Sequence, residues 1–330
     1  MRTLTITEND AGQRLDKFLQ KVLPLLPVPL MYKCIRLKKI KVNRKRTEQK
    51  YHLQAGDTVQ LFLAEGFFEQ VDADNAFLRI TPHLQIVYED DAVLIVNKPE
   101  GLIVHADRTE EVNTLINHIK AYLVQTGAYR PQDEQSFAPA LCHRIDRNTC
   151  GLVIAAKTAA ALRAVNEMIR RNQIHKTYLC LTHGTYGENE KQRVLQGYLC
   201  KDSAQNLVTI RQTPPQTPAE REVWKKIVTS YRVLQSRGDI ALVEIELLTG
   251  RTHQIRAHMA FAGHPLVGDG KYGVNRQDRA RGYVHQALCA YRLTFDPVAP
   301  DSPLAALSGK TVALSPDDIW FVRTFHGQQP

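Results

Sequence analysis

His143-Arg144-Ile145-Asp146-Arg147-Asn148-Thr149-Cys150-Gly151-Leu152 puts one carboxylate between two arginines, on a polar turn that runs straight into the apolar run Leu152 to Ala156. Further along, Gly250-Arg251-Thr252-His253-Gln254-Ile255-Arg256-Ala257-His258 reads as a turn feeding a helix. A carboxylate can be a nucleophile, a general base, a metal ligand or half of a structural ion pair. With Arg144 and Arg147 beside it in sequence, Asp146 is favoured in its ionised form, which suits a nucleophile and disfavours a general acid. Neither segment holds a second acid, so the paired carboxylates of glycoside hydrolysis have no obvious source. His253 and His258 do not face the same way on the predicted helix and no acid joins them, so they read as ordinary polar histidines and no metal is expected. Gly250-Arg251-Thr252 would offer free backbone N–H groups and an arginine to a phosphate. On the helix predicted over 251–261, Arg251, Ile255 and His258 share a face, with Arg256 offset by one residue.

Outward from these segments, the period of the apolar residues predicts strands over 86–88, 93–96, 176–182 and 240–247, and helices over 114–124 and 159–169. Strands dominate and do not alternate regularly with helices. The fold class expected for residues 85–330 is therefore α+β, with a mixed, largely antiparallel sheet rather than a doubly wound one. Residues 12–63 read as a separate small α/β module. Leu15, Phe18, Leu19 and Val22 recur at helical spacing, a second short helix follows Pro24, Pro27 and Pro29, and Ile40 to Asn43 and Val59 to Leu63 alternate as strands around the turn Gln54-Ala55-Gly56-Asp57. Residues 64–84, with Gly66, Asp72 and Asp74, read as a linker, and the polar segment 184–222 has no assigned role.

The chain has 330 residues and a formal charge of +9. That charge is concentrated: residues 1–66 hold 13 Lys/Arg against 6 Asp/Glu. Within them Lys33, Arg36, Lys38, Lys39, Lys41, Arg44, Lys45 and Arg46 form a stretch without an acid, dense enough to neutralise several phosphates, and the partner expected is RNA. The six cysteines are scattered without a C-x-x-C pair, which indicates neither a zinc site nor a disulfide framework. No apolar run approaches the roughly 18 to 20 residues of a membrane helix, and the opening Met1-Arg2-Thr3-Leu4 is unlike a secretory signal peptide. A cytoplasmic, monomeric protein with no membrane partner is expected.

The N-terminal pattern Arg14-Leu15-Asp16-Lys17-Phe18-Leu19, Lys39-Ile40-Lys41-Val42-Asn43 and Leu53-x-Ala55-Gly56-Asp57-x-Val59 resembles the S4-type RNA-binding domain. It departs from that domain where Pro27-Val28-Pro29-Leu30 replaces the usual hydroxyl residue at the start of the second helix, so proline must set the start of that helix. The segments Leu94 to His105, His143 to Gly151, Lys176-Thr177-Tyr178, Leu248 to Arg256, and Gly263-His264-Pro265-Leu266-x-Gly268-Asp269-x-x-Tyr272-Gly273 resemble, in order, the motifs of RluA-type pseudouridine synthases.

That resemblance implies an isomerase converting uridine to pseudouridine without a cofactor, with the base flipped out of its RNA. Asp146 would be the nucleophile, on either the ribose anomeric carbon or the uracil ring, and Arg256 would pair with it. Tyr178 would stack on the base and take part in proton handling, Ile255 would pack on the other side of the pocket, and Arg144 would bear on the extruded nucleotide or its phosphate. Asn97 and Lys98, in the first segment, count with Arg251 among the substrate-binding residues; a plain turn is the alternative for Asn97 and Lys98, and a buried structural ion pair for Asp146 and Arg256. Cys150 and Ile145 stand where the family usually has Ser and Leu, both conservative changes. The RNA expected is that of the large ribosomal subunit, with tRNA second. A non-catalytic RNA-binding or ribosome-assembly protein on a synthase scaffold is the alternative from another class, and a nucleoside hydrolase is disfavoured by the missing second acid.

Overall fold

Cys150–Ala156 carries no charge, and six of its seven residues are buried, the pattern of a strand covered on both faces. It is the seventh strand in a computed structural model that describes residues 1–68 and 75–327. The N-terminal part contains β1 (Arg2–Thr5), α1 (Leu15–Val22), α2 (Val28–Arg36), β2 (Ile40–Val42) and β3 (Thr58–Leu61). Its sheet has the order β1-β3-β2, so the module read over 12–63 also draws in residues 2–5. Pro27 stands at the N-cap of α2 with no side-chain cap, as the sequence requires.

The larger part contains β4 (Gln85–Glu89), β5 (Val93–Lys98), α3 (Leu115–Gln125), β6 (Ala140–Leu141), β7 (Cys150–Ala156), α4 (Ala159–Arg170), β8 (Ile174–His183), β9 (Gln192–Asp202), β10 (Leu207–Arg211) and α5 (Pro218–Val223). It continues with β11 (Lys225–Arg237), β12 (Ile240–Leu247), α6 (Gln254–Phe261), α7 (Arg276–Ala280), β13 (Leu288–Phe295), β14 (Thr311–Ala313) and α8 (Trp320–Phe325). One sheet runs β10-β9-β11-β12-β8-β13-β7-β5-β4, with β14 on β13 and β6 on β7. Every pairing is antiparallel except β13 with β7, so the sheet is mixed and the class is α+β.

The period-two alternation of the strands sorts the core onto two faces. Leu94, Val96, Val153, Ala155, Tyr178, Cys180, Val243 and Ile245 pack with α3 and with Ile255 and Met259 of α6. On the opposite face, Val93, Ile95, Leu152 and Ile154 pack with Ala161, Val165 and Met168 of α4, while Leu179 and Leu181 meet α8. The N-terminal part touches the second side of this frame. Asp10, fully buried, accepts from Ser136 and Gln135; Asn9 accepts the Ala159 amide at 3.1 Å; and Arg163 donates to the Ala11 carbonyl.

Three sequence expectations change. Residues 184–222, which carry no assignment from sequence, include the β9–β10 hairpin that forms one edge of the sheet. The stretch read as a linker carries short 3-10 turns at Glu65–Phe68 and Asn75–Arg79, and Phe77 is buried with its ring 6.5 Å from that of Tyr129; Asp72 and Asp74 lie outside the described residues. The helix predicted over 251–261 begins only at Gln254, because His253 takes a left-handed conformation (φ 53, ψ 17) that ends the preceding turn. Arg251 therefore does not share a helical face with Ile255 and His258.

The parallel contact of β7 with β13 sets the position of the loop before β7. Gly151 has φ +116, and a Cβ there would stand 2.3 Å from the Ala290 carbonyl oxygen. Gly151→Ala is expected to force β7 and β13 apart and to cost at least about 2 kcal/mol in unfolding free energy. Chemical denaturation of the variant checks this; an unchanged midpoint would show that the two strands tolerate separation.

Candidate active site

The loop His143–Thr149 leaves the sheet at the start of β7 and is held from both sides. On one side Lys98, fully buried, donates from Nζ to the carbonyls of Pro99, Leu102 and Arg147, each at 2.8 Å, and the Gly101 amide also donates to Arg147. On the other, Gln286 donates to the Thr149 hydroxyl, and Asn148 meets His285 at 3.0 Å. The 250–254 turn is fastened as firmly. Gln254 accepts from the Arg251 amide and the Thr249 hydroxyl, and donates to the Val228 carbonyl and the Thr229 hydroxyl.

These two segments face each other across a cleft of about 1220 Å³ whose wall includes Arg144, Asp146, Tyr178, Arg251, Ile255 and Arg256. Arg256 donates from Nη1 to Asp146 Oδ2 at 2.9 Å. The rest of its guanidinium is clamped by Asp269, with Nε to Oδ2 at 2.7 Å and Nη2 to Oδ1 at 2.8 Å. Asp269 is fully buried and also accepts the Lys271 and Tyr272 amides. Burial alone would raise its carboxyl; the Arg256 guanidinium and those amides outweigh burial and hold it below the usual carboxylate range. Burial acts against the charged Arg256 too, but its two carboxylates hold it protonated more firmly than a free arginine.

The two arginines next to Asp146 in sequence are not the ones that pair with it. Arg147 turns away to Asp107 at 3.0 Å and to Thr109, and Arg144 is exposed on the cleft wall. His253, which reads from sequence as an ordinary polar residue, has Nε2 at 3.9 Å from Asp146 Oδ2, while its Nδ1 is 2.8 Å from the Tyr272 hydroxyl. Burial lowers its pKa against the opposing pull of Asp146, which favours the neutral ring. Tyr272 lies with its ring 5.4 Å from the Arg256 guanidinium and accepts the Val208 amide of β10, which ties the β9–β10 hairpin to the site.

Tyr178 is buried in β8 on the cleft face, and burial first, then the charge of Asp146, pushes its phenol well above the ordinary value. Two expected substrate contacts do not reach the cleft. Asn97 donates across the sheet to Gln85 at 2.8 Å, and the Lys98 ammonium is used up on three carbonyls, with burial pushing it down to about 8. Both residues are part of the frame behind the loop, because the strand that carries them, β5, runs under it. His143 accepts the Ile154 amide, and burial with Lys176 nearby pushes it down to about 3, leaving it a neutral structural group. The eight basic residues of 33–46 are exposed except Lys41, which is half-buried over the Phe62 ring, and none makes an ion pair among the described residues.

The family model for RNA pseudouridylate synthase matches residues 92–261, a span that holds Asp146, Tyr178 and Arg256. The chain belongs to this family. An uncharacterized RNA pseudouridine synthase of Mycoplasma genitalium is 32% identical over 294 residues, covering 88% of this chain and 88% of its own. The ribosomal large subunit pseudouridine synthase C of Escherichia coli is 32% identical over 290 residues, covering 84% of this chain and 82% of its own. Among solved structures, the human RNA Pseudouridylate Synthase Domain Containing 4 shares the fold, at 21% identity and a TM-score of 0.53 over 70% of this chain and 88% of that one. The chain is thus an RNA pseudouridine synthase, an isomerase that acts on RNA.

In this synthase Asp269→Ala would leave the Arg256 guanidinium buried and half-paired. A loss of about 3–5 kcal/mol is expected at neutral pH. Because the folded carboxyl lies below its unfolded value, the contribution is complete above the ordinary carboxylate range of about 4 and is lost as pH falls through the folded value. Thermal unfolding of wild type and variant at pH 7 and pH 3 should show a gap that narrows in acid; an equal gap at both would remove the ion pair as its source.

Proposed function

We propose that this synthase isomerises uridine in large-subunit ribosomal RNA, with Asp146 as nucleophile and the target base flipped into the cleft. The observation that carries this reading is Asp146 on the wall of a cleft of about 1220 Å³, oriented by an arginine that a second, buried carboxylate holds in place, while the other acid on that wall, Asp107, is paired with Arg147. The chemistry needs little more. The bond from ribose C1′ to uracil N1 breaks, the ring turns, a bond from C1′ to C5 forms, N1 takes up a proton and the C5 hydrogen leaves to solvent. No oxidant, reductant or co-substrate enters this balance.

Asp146 attacks the ribose or the uracil and is released when the new bond forms. Arg256 keeps it aimed throughout, since Asp269 prevents the guanidinium from following the carboxylate away. Tyr178 stacks on the extruded base and, kept neutral by its surroundings, offers a hydroxyl for proton handling. Ile255 closes the other side of the base, and Arg144 and Arg251 face the sugar-phosphate. Extracting the base costs about a few kcal/mol, least in a loop.

The N-terminal part acts as an S4-type module that holds the RNA by its backbone, its exposed cations releasing counterions on binding. Ribosomal RNA is favoured over tRNA because relatives of this length and identity carry the large-subunit name.

Two outcomes follow. Asp146→Asn should abolish tritium release from [5-³H]uridine-labelled ribosomal RNA while RNA affinity stays within about a few-fold, since the carboxylate acts in the chemical step; retained release would remove Asp146 as nucleophile, and release from tRNA alone would reassign the substrate. Replacing Lys38, Lys39, Arg44 and Lys45 by Gln should flatten the dependence of log affinity on log salt by roughly 0.7 to 0.9 for each phosphate the variant no longer neutralises. An unchanged slope would assign the RNA-binding surface elsewhere.

A further inference from the structure

Cations on the cleft wall differ in what they already hold. Arg147 has Asp107, Arg256 has Asp146 and Asp269, and Lys271 donates to the Asn206 carbonyl. The side chains of Arg144, Arg251 and Lys176 make no hydrogen bond or ion pair among the described residues. Arg144 and Arg251 are exposed, which needs no explanation in a charged surface residue. Lys176 is half-buried, and that does.

Its position is specific. Lys176 lies on β8 two residues before Tyr178, and both side chains reach the same cleft, as the alternation of a strand requires. The two Cα atoms are roughly 6.6 Å apart along the strand. That is about the span from a base to the phosphates of its own nucleotide. The ammonium also stands against the 250 turn: a Cβ placed on Gly250 would be 4.0 Å from Lys176 Nζ. The amides of Gly250 and Thr252 in that turn donate to no group among the described residues. Burial pushes the Lys176 ammonium below the value of a free lysine, with no carboxylate acting on it in the other direction. A charge stripped of part of its water and given no partner is a cost, and an anion that arrives with the substrate removes it.

We propose that Lys176 and the Gly250–Thr252 turn form the phosphate seat of the cleft, taking a phosphodiester oxygen of the target nucleotide while Tyr178 faces its base. This rests on the assignment of Tyr178 and Asp146 to the reacting nucleotide. Gly250 leaves the turn open to the oxygen, and the turn's two free amides and the ammonium supply converging donors, while Arg251 adds charge from the solvent side. Lys176 then contributes binding of the nucleotide through its phosphate, while Tyr178 faces the base.

The test is a cycle between Lys176→Met and an RNA whose phosphodiester on one side of the target uridine is replaced by a neutral methylphosphonate, each side being tried. Lys176→Met should raise KM roughly tenfold or more with little change in kcat, the loss expected for a charge-assisted hydrogen bond. Lys176→Arg should recover most of it. At one of the two linkages the neutral RNA should cost the wild type the same factor and cost Lys176→Met nothing further. Losses that multiply at both linkages, or an unchanged KM, would overturn the phosphate seat and leave the lysine stem as a cover for the apolar wall. A fall in kcat alone would overturn it too and move Lys176 to the chemical step. Should Lys176→Met fold poorly, the neutral linkages tried on wild type and Lys176→Arg decide the matter: a loss at neither linkage sinks the proposal. Repeating the cycle as binding measurements in an Asp146→Asn background separates the phosphate seat from the assignment of the nucleophile, since binding there is seen without turnover.

Discussion

Arg256 can direct Asp146 because Asp269 leaves it no freedom. The bidentate pair between Arg256 and Asp269 lies at the base of the cleft, and Asp269 has no solvent exposure at all. Two parallel N–H···O bonds fix a guanidinium in plane as well as in place, which a single bond could not do. The remaining Nη1 then points at Asp146 as a rigid donor. A flexible arginine paired only with Asp146 would follow that carboxylate as it moved; one anchored from behind holds it in a fixed direction. The turn that delivers Asp269 depends in its own way on Gly268, whose φ of +76 and close approach to the His285 carbonyl leave no room for a Cβ.

The other half of the site is placed by backbone rather than by charge. The loop carrying Asp146 hangs from the start of β7, where the only parallel pairing of the described strands brings β7 against β13. Lys98 gathers three carbonyls from two segments under that loop, a buried ammonium acting as a staple. A lysine used in this way holds the loop that carries Asp146. Cations of similar sequence character are thus placed differently: Arg256 faces the cleft, Lys98 faces the carbonyls behind it, and Lys176 faces the cleft without a partner among the described residues.

Charge is also divided along the chain. The basic stretch of the N-terminal part is mostly exposed, where charge acts at long range and is screened by salt, whereas Arg256 in the cleft is buried and held at short range by two carboxylates. Contacts from Asn9, Asp10 and Ala11 to residues 135–163 attach the N-terminal part near the end of β7 far from Asp146.

Much of this was legible in the residues themselves. Period-two and helical spacing located β5, β8, β12, α3 and α4 closely, because those elements bury one or both faces and the burial writes itself into the apolar pattern. Local motifs around Asp146, Tyr178 and Arg256 were enough to name the family, since each motif is a contiguous run whose chemistry is carried by neighbours. The β9–β10 hairpin was not legible: it is an edge with one exposed face, and its weak alternation carried no signal. Nor were the partners of the site. Asp146 lies beside Arg144 and Arg147 in sequence, yet its ion pair is with Arg256, 110 residues away, and Lys98 reads as a substrate contact until three carbonyls close around it. Sequence by itself determined which residue types could do the chemistry and which segments form strands and helices, because those are local properties. Which charge meets which, and which of several lysines and arginines is left free for RNA, was decided only by tertiary structure, since a side chain's direction depends on the turn that carries it and on what the rest of the chain folds against it.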